Sequence, residues 1–168
     1  MVEVLIVIAI TALLSSFILT YTSTGRDQIT LSVEEAKVAQ TILRAKSLTL
    51  ATYGGDQVPC GYGVNFDYAA KPQTFSLFRY DKKGCADIQY MESQYVTMLS
   101  SSTLNDAVRF MDTPDNLEYI FFVPPNPDTY LWQPGLNATT TSGAISLTTR
   151  RGDFIRTVDV NSAGQISF

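Results

Sequence analysis

Histidine is absent from all 168 residues, which removes the commonest general base and the commonest metal ligand. Basic charge is also scarce: 12 Lys and Arg against 16 Asp and Glu leave a net charge of −4. General affinity for nucleic acid is therefore not expected, because phosphate binding rests on neutralisation by Lys and Arg. There is no Gly-x-Ser-x-Gly, no P-loop and no cysteine near a candidate base, so the chain reads as a non-enzyme without a cofactor. Cysteine appears twice, at Cys60 and Cys85, in no CxxC spacing. In an exported chain that even count favours a Cys60–Cys85 disulfide over two buried thiols.

Charge is almost missing from the first 25 residues, where Glu3 is the sole Asp, Glu, Lys or Arg. Residues 1–19 read MVEVLIVIAITALLSSFIL, fifteen of them apolar. That length is close to the ~20 residues a helix needs to cross a hydrocarbon core. The run lacks a basic flank before it and a small-residue cleavage site after it, so a retained membrane-spanning segment is expected rather than a secretory signal. Beyond Gly25, apolar and small residues recur at Ile29, Val33, Ala36, Leu43 and Leu50, with Glu34, Glu35, Lys37, Arg44 and Lys46 elsewhere on the wheel. This spacing predicts an amphipathic helix that turns those five residues toward a core. Together the two stretches make a rod of roughly 75 Å. The hydroxylated, β-branched run from Thr20 to Gly25 is a candidate hinge, and Ser32 with Glu35 forms a capping-box pattern able to restart a helix after it.

From Tyr53 the texture changes to short strand-like runs between turn signals. Strands are expected at Gly63–Phe66, Thr74–Tyr80, Ile88–Met91, Ala107–Met111, Glu118–Val123, Ala144–Thr149, Phe154–Val160 and Gln165–Phe168. The inward-facing residues of the sheet are expected to be Phe75, Leu77, Ile120, Phe122, Ile145, Leu147, Val158 and Val160. A hairpin should turn at Arg151, Gly152 and Asp153. The organisation is thus an apolar helix over 1–25, an amphipathic helix over 26–52 and a β-rich head over 53–168, an α+β fold with an antiparallel sheet.

The opening MVEVLIVIAITALL resembles the start of mature type IV pilins and type II secretion pseudopilins, in which a glutamate precedes an apolar helix. Glu3 aligns with that glutamate, and the alignment implies that two residues and a leader precede Met1. The stretch Arg44–Ala51 and the ending Gly143–Leu147 with Gly164–Ile166 are similar to H-type minor pseudopilins and their pilus counterparts. The resemblance implies a pilin fold: a long helix, its first half membrane-spanning, carrying an antiparallel β head. It implies a subunit held in the bacterial inner membrane and then assembled by dedicated machinery with copies of itself into an extracellular helical filament. Glu3 would be the assembly residue. A carboxylate in an apolar span costs roughly 2.5–3.5 kcal/mol on insertion scales, and in the family it is neutralised by a neighbouring subunit's α-amine. A hydrated Glu3 at the membrane surface is the plainer alternative. A secretion pseudopilin, a DNA-uptake minor pilin and a membrane-anchored binding module that never polymerises are the rival functions.

Weaker signals remain. Arg150, Arg151 and Arg156 gather in the C-terminal hairpin, where DNA-uptake relatives carry basic motifs, but three charges give modest attraction and a solvated hairpin is the default. The Arg151-Gly152-Asp153 triplet reads as turn chemistry. Asp112, Asp115 and Glu118 crowd a loop with Asn116 and offer oxygen ligands suited to calcium, without an EF-hand spacing, so a solvated acidic turn is expected. Asn137-Ala138-Thr139 is a glycosylation-type sequon in a loop, and Trp132 is expected to anchor the core of the head.

Overall fold

Residues 2–52 contain no proline, the first being Pro59, so no ring interrupts the hydrogen-bond ladder of a helix there. In the computed structural model the whole stretch is one helix, α1 (Val2–Thr52). The structure describes every residue except 1, 53–58, 69, 83–91, 126–127 and 134–138, and for 17–24 it describes backbone alone. The hinge expected at Thr20–Gly25 does not form, and Ser32 sits inside the helix rather than capping a new one. A run of hydroxylated residues costs only tenths of a kcal/mol each, too little to break a ladder with helix on both sides. Gly54 and Gly55, a sequence signal able to stop the helix, lie outside the described residues.

Among the described residues nine strands follow: β1 (Gly61–Phe66), β2 (Thr74–Tyr80), β3 (Val96–Thr103), β4 (Val108–Phe110), β5 (Tyr119–Val123), β6 (Asp128–Trp132), β7 (Ser142–Thr149), β8 (Ile155–Asn161) and β9 (Ile166–Ser167). They form two antiparallel sheets, ordered β3-β2-β1-β5-β6 and β4-β7-β8-β9. The fold is α+β, as expected. Strands β3 and β6 were not anticipated, and the expected Ile88–Met91 strand lies outside the described residues. The hairpin between β7 and β8 turns at Gly152, whose φ of 80° suits glycine and whose N–H donates to the Thr149 carbonyl at 2.9 Å.

The core lies where α1 meets both sheets. Leu31, Val38, Ala39, Ile42 and Ala45 of the helix pack with Val64, Leu77, Ile120 and Phe122 of the larger sheet and Ile145, Leu147, Val158 and Val160 of the smaller. Phe75 completes the eight sheet residues expected to be buried, all of which are. It joins Phe66, Tyr68 and Phe110 in a group of rings at 5.4–6.2 Å centroid spacing. The opposite face of the larger sheet is also buried, by Phe78, Tyr80, Phe121 and Trp132. Phe78 and Phe121 stack at 6.0 Å from either side of Gly63, where a Cβ would lie 2.5 Å from the Phe78 ring. Trp132 is the core anchor expected of it, stacked on Tyr130 at 5.9 Å.

The helix reverses one expectation. Ile29, Val33, Ala36, Leu43 and Leu50, predicted to face the core, are exposed, Ile29 to 68% and Leu43 to 53%. The face that packs carries Glu34 and Glu35 among its buried residues. Its small Ala39 and Ala45 let the helix backbone approach the sheets.

Candidate assembly surface

Two stretches of α1 present apolar surface. From Val2 to Ser16 every described side chain is exposed, including Leu5, Ile6, Val7, Ile8, Ile10, Leu13 and Leu14. The polar side chains within this stretch turn their bonds inward. Thr11 Oγ1 donates to the Val7 carbonyl at 2.9 Å and Ser15 Oγ to the Thr11 carbonyl at 2.8 Å. Hydroxyls satisfied by their own helix enter apolar surroundings without leaving an unpaired group. Glu3 cannot do this, and it stands exposed on the first turn as the one charged side chain of residues 2–16. Among the described residues no helix is long and apolar enough to cross a membrane. The described side chains of 2–16 cover about 21 Å of helix, short of a hydrocarbon core of ~30 Å.

Farther along, the exposed row is Ile29, Val33, Ala36, Gln40, Leu43, Ser47 and Leu50. Its steps alternate four and three, the period of a helix seam packed against another helix. A groove of about 510 Å³ runs beside it, lined by Lys37, Gln40, Leu43, Arg44, Ser47 and Ser102 among others. Two lysines tie the helix to the head beside this row. Lys37 Nζ donates to the Thr103 carbonyl at 2.6 Å and pairs with Glu34 at 3.3 Å, and Lys46 Nζ donates to the Gly164 carbonyl at 2.9 Å. Sequence reasoning placed these lysines merely off the apolar face. Their roles depend on carbonyls more than 60 residues away, for which the local sequence holds no signal.

Glu35 lies on the buried side of the helix, and burial raises its carboxyl above the ordinary range, partly offset by the Arg156 guanidinium. Arg156 is thus the neighbour of an acid on α1. Arg150 shares a cleft with Arg109 and Asp106, while Arg151 is exposed at the hairpin turn beside Gly152 and Asp153.

Asn116 is buried, donates its Nδ2 hydrogen to the Met111 carbonyl and accepts from the Ser146 amide at 3.0 Å. Asp115 lines a cleft with Asp159 and Gln133. Glu118 instead lies near Tyr68 and Tyr119, whose hydroxyls titrate above the ordinary phenol range through burial first and its charge second. Among the described residues no group of three carboxylates, cysteines or histidines is placed to hold a metal. Asp112, Asp115 and Glu118 are therefore not brought together as a set of calcium ligands.

Cys60 is disulfide-bonded and sits in the aromatic cluster with Phe78 and Trp132. Cys85, the other cysteine of the sequence, and Asn137 of the sequon lie outside the described residues.

Fold and surface together define a class: an α+β protein whose β head is carried on a 51-residue helix with an uncovered apolar side. Comparison with protein families, characterised proteins and solved structures finds no match to this chain.

Proposed function

We propose that this chain is the structural subunit of a type IV pilus-like filament that polymerises through α1. The observation that carries the reading is the apolar stretch from Val2 to Ser16, exposed all round and continuous with the helix that enters the head. Fifteen apolar side chains over residues 1–19 represent more than ~20 kcal/mol of transfer from water. Such a surface needs a bilayer or other helices around it. In this reading the subunit waits in the bacterial inner membrane, then enters an extracellular fibre whose helices bury one another. The exposed row Ile29–Leu50 offers a second apolar contact where the same helix enters the head.

Glu3 supplies the preference for the polymer. Unpaired in hydrocarbon it is costly, and neutralisation by the α-amine of a neighbouring subunit removes that cost only on assembly. The test is electron microscopy of cells expressing the full chain with its export and assembly machinery, with and without Glu3→Ala. The expected result is fibres from the wild type and their loss in the variant, with membrane insertion kept. A monodisperse wild-type protein in the membrane would sink the filament reading and leave a membrane-anchored binding module.

The likeness of Arg44–Ala51 to H-type minor pseudopilins supports a second reading, a minor subunit of a secretion filament. It is supported by Ala45 and Thr49, which that segment buries against the head. Abundance in sheared surface fibres separates the two, since a minor subunit is scarce there.

A further inference from the structure

Contacts between α1 and the head fix which end of the head faces the apolar half of the helix. Thr49 Oγ1 donates to the Phe122 carbonyl at 3.4 Å, Lys46 Nζ to the Gly164 carbonyl at 2.9 Å and Lys37 Nζ to the Thr103 carbonyl at 2.6 Å. Arg156, near the start of β8, is the neighbour of Glu35. β8 therefore runs in the direction of the helix, with Arg156 level with Glu35 and the turn after Asn161 level with Lys46. The lengths agree. From Glu35 to Lys46 the helix rises about 16.5 Å, and from Arg156 to Asn161 the strand rises about 17 Å. The β7–β8 turn at Gly152, and the segment Leu104 to Ala107 after β3, consequently lie at the end of the head nearest the apolar half.

That end holds a cleft of about 370 Å³ lined by Pro72, Gln73, Asp106, Arg109 and Arg150. Its walls are tied together through the backbone. The Arg150 amide donates to the Ala107 carbonyl at 2.7 Å, the Phe110 amide to the Pro72 carbonyl at 2.8 Å and Gln73 Nε2 to the Val108 carbonyl at 3.1 Å. Two exposed arginines, one from β4 and one from the β7–β8 turn, thus share one cleft. Among the described residues neither pairs with a carboxylate, whereas Arg79 is held by Asp81 at 2.8 Å. Asp106 is the one carboxylate of the lining, so positive charge is in excess there. Elsewhere on this end charges cancel: Asp27 follows Arg26, Asp67 is four residues from Lys71, and Asp153 is two from Arg151. Two forked guanidiniums side by side suit an oxyanion that accepts several hydrogen bonds at once.

We propose that the Arg109–Arg150 cleft takes the phosphate of an anionic lipid headgroup while the subunit waits in the membrane; this rests on the membrane stage of the filament reading. Position selects a lipid phosphate among oxyanions. The apolar run over residues 1–19 rises about 28 Å as helix, close to a hydrocarbon core of ~30 Å, so the core ends near residue 19. Leu147 is paired with Arg156, and Arg150 follows the last residue of β7. Three strand steps from Leu147 carry Arg150 about 10 Å toward the apolar half, level with roughly residue 28 of α1. That is about 14 Å beyond residue 19. The headgroup layer fills ~5–7 Å of this gap, and the remainder is comparable with the screening length of ~8 Å. Duplex nucleic acid would call for a track of basic sites, and this cleft holds a single excess charge.

The test uses the full-length chain in nanodiscs of phosphatidylcholine, alone or with equimolar phosphatidylglycerol. Phenylglyoxal modification of each arginine is followed by mass spectrometry. Arg109 and Arg150 are expected to react about fivefold more slowly in the anionic discs, while Arg44 and Arg79, farther from the bilayer, change by less than about twofold. Arg150→Gln should abolish the slowing at Arg109, which a diffuse surface potential would leave in place, with the thermal midpoint unchanged. Equal rates in the two bilayers, or slowing at Arg109 that survives Arg150→Gln, would overturn the site. Equal protection by inorganic phosphate in neutral discs would assign the cleft to a free oxyanion. Protection by a short DNA duplex without a response to phosphatidylglycerol would assign it to nucleic acid, and either result overturns the lipid assignment. A chain that does not enter neutral discs at all would remove the membrane stage of the filament reading, and this site with it, a result distinguishable from the others.

Discussion

The inner and outer faces of α1 between Ile29 and Thr52 are built from similar amounts of apolar material and meet opposite fates. The inner face carries Leu31, Val38, Ala39, Ile42, Ala45 and Thr49, all buried, together with Glu34 and Glu35. The outer face carries Ile29, Val33, Ala36, Leu43 and Leu50, all exposed. Apolarity alone therefore does not decide which side of a helix packs. Closeness does: two alanines on the inner side let the helix settle onto two sheets, and each acid there finds a basic neighbour, Lys37 for Glu34 and Arg156 for Glu35. The outer face retains its bulk for other contacts.

The strongest way to break this asymmetry is Ile42→Ala. Ile42 is fully buried between the sheets, and its truncation should lower unfolding stability by about 3 kcal/mol in urea titration. A loss under about 1 kcal/mol would mean that the helix is only lightly docked. Glu35→Gln sharpens the comparison from the charge side. Because the folded state raises this carboxyl, charging it opposes folding, and the wild type gains stability as pH falls through its folded pKa toward 4.5. The variant should be the more stable at neutral pH, and the gap should close on acidification. A variant less stable than the wild type at neutral pH would show the Arg156 attraction, rather than burial, to dominate. Leu43→Ala should have the smallest effect on folding, within about 0.5 kcal/mol. Its effect should instead appear in fibre yield, measured beside the wild type; equal yields would remove the outer row from the assembly surface.

Much of the head was legible from local pattern. Thr74–Tyr80 is the strand expected, residue for residue, and the alternation of Ile145, Leu147, Val158 and Val160 placed their side chains inward. β3 escaped because Ser100, Ser101 and Ser102 read as loop, and a strand exposed on both faces leaves no alternation to detect. The candidate surface was half legible. Residues 1–19 and Glu3 stood out by composition, whereas the Ile29–Leu50 row was recognised as apolar and assigned to the wrong side. Both faces of the helix repeat by threes and fours, so period alone could not choose between them.

The sequence by itself determined two helical stretches before residue 53, antiparallel strands beyond it, and one acid interrupting an apolar opening, because these follow from neighbours along the chain. Only the tertiary structure decided which face of the helix packs, that the two helical stretches join without a break, and that Asn116 bonds to Met111 and Ser146. Those outcomes depend on the distance between parts far apart in sequence, where the size of a side chain and the nearness of a counter-charge or carbonyl outweigh local preference.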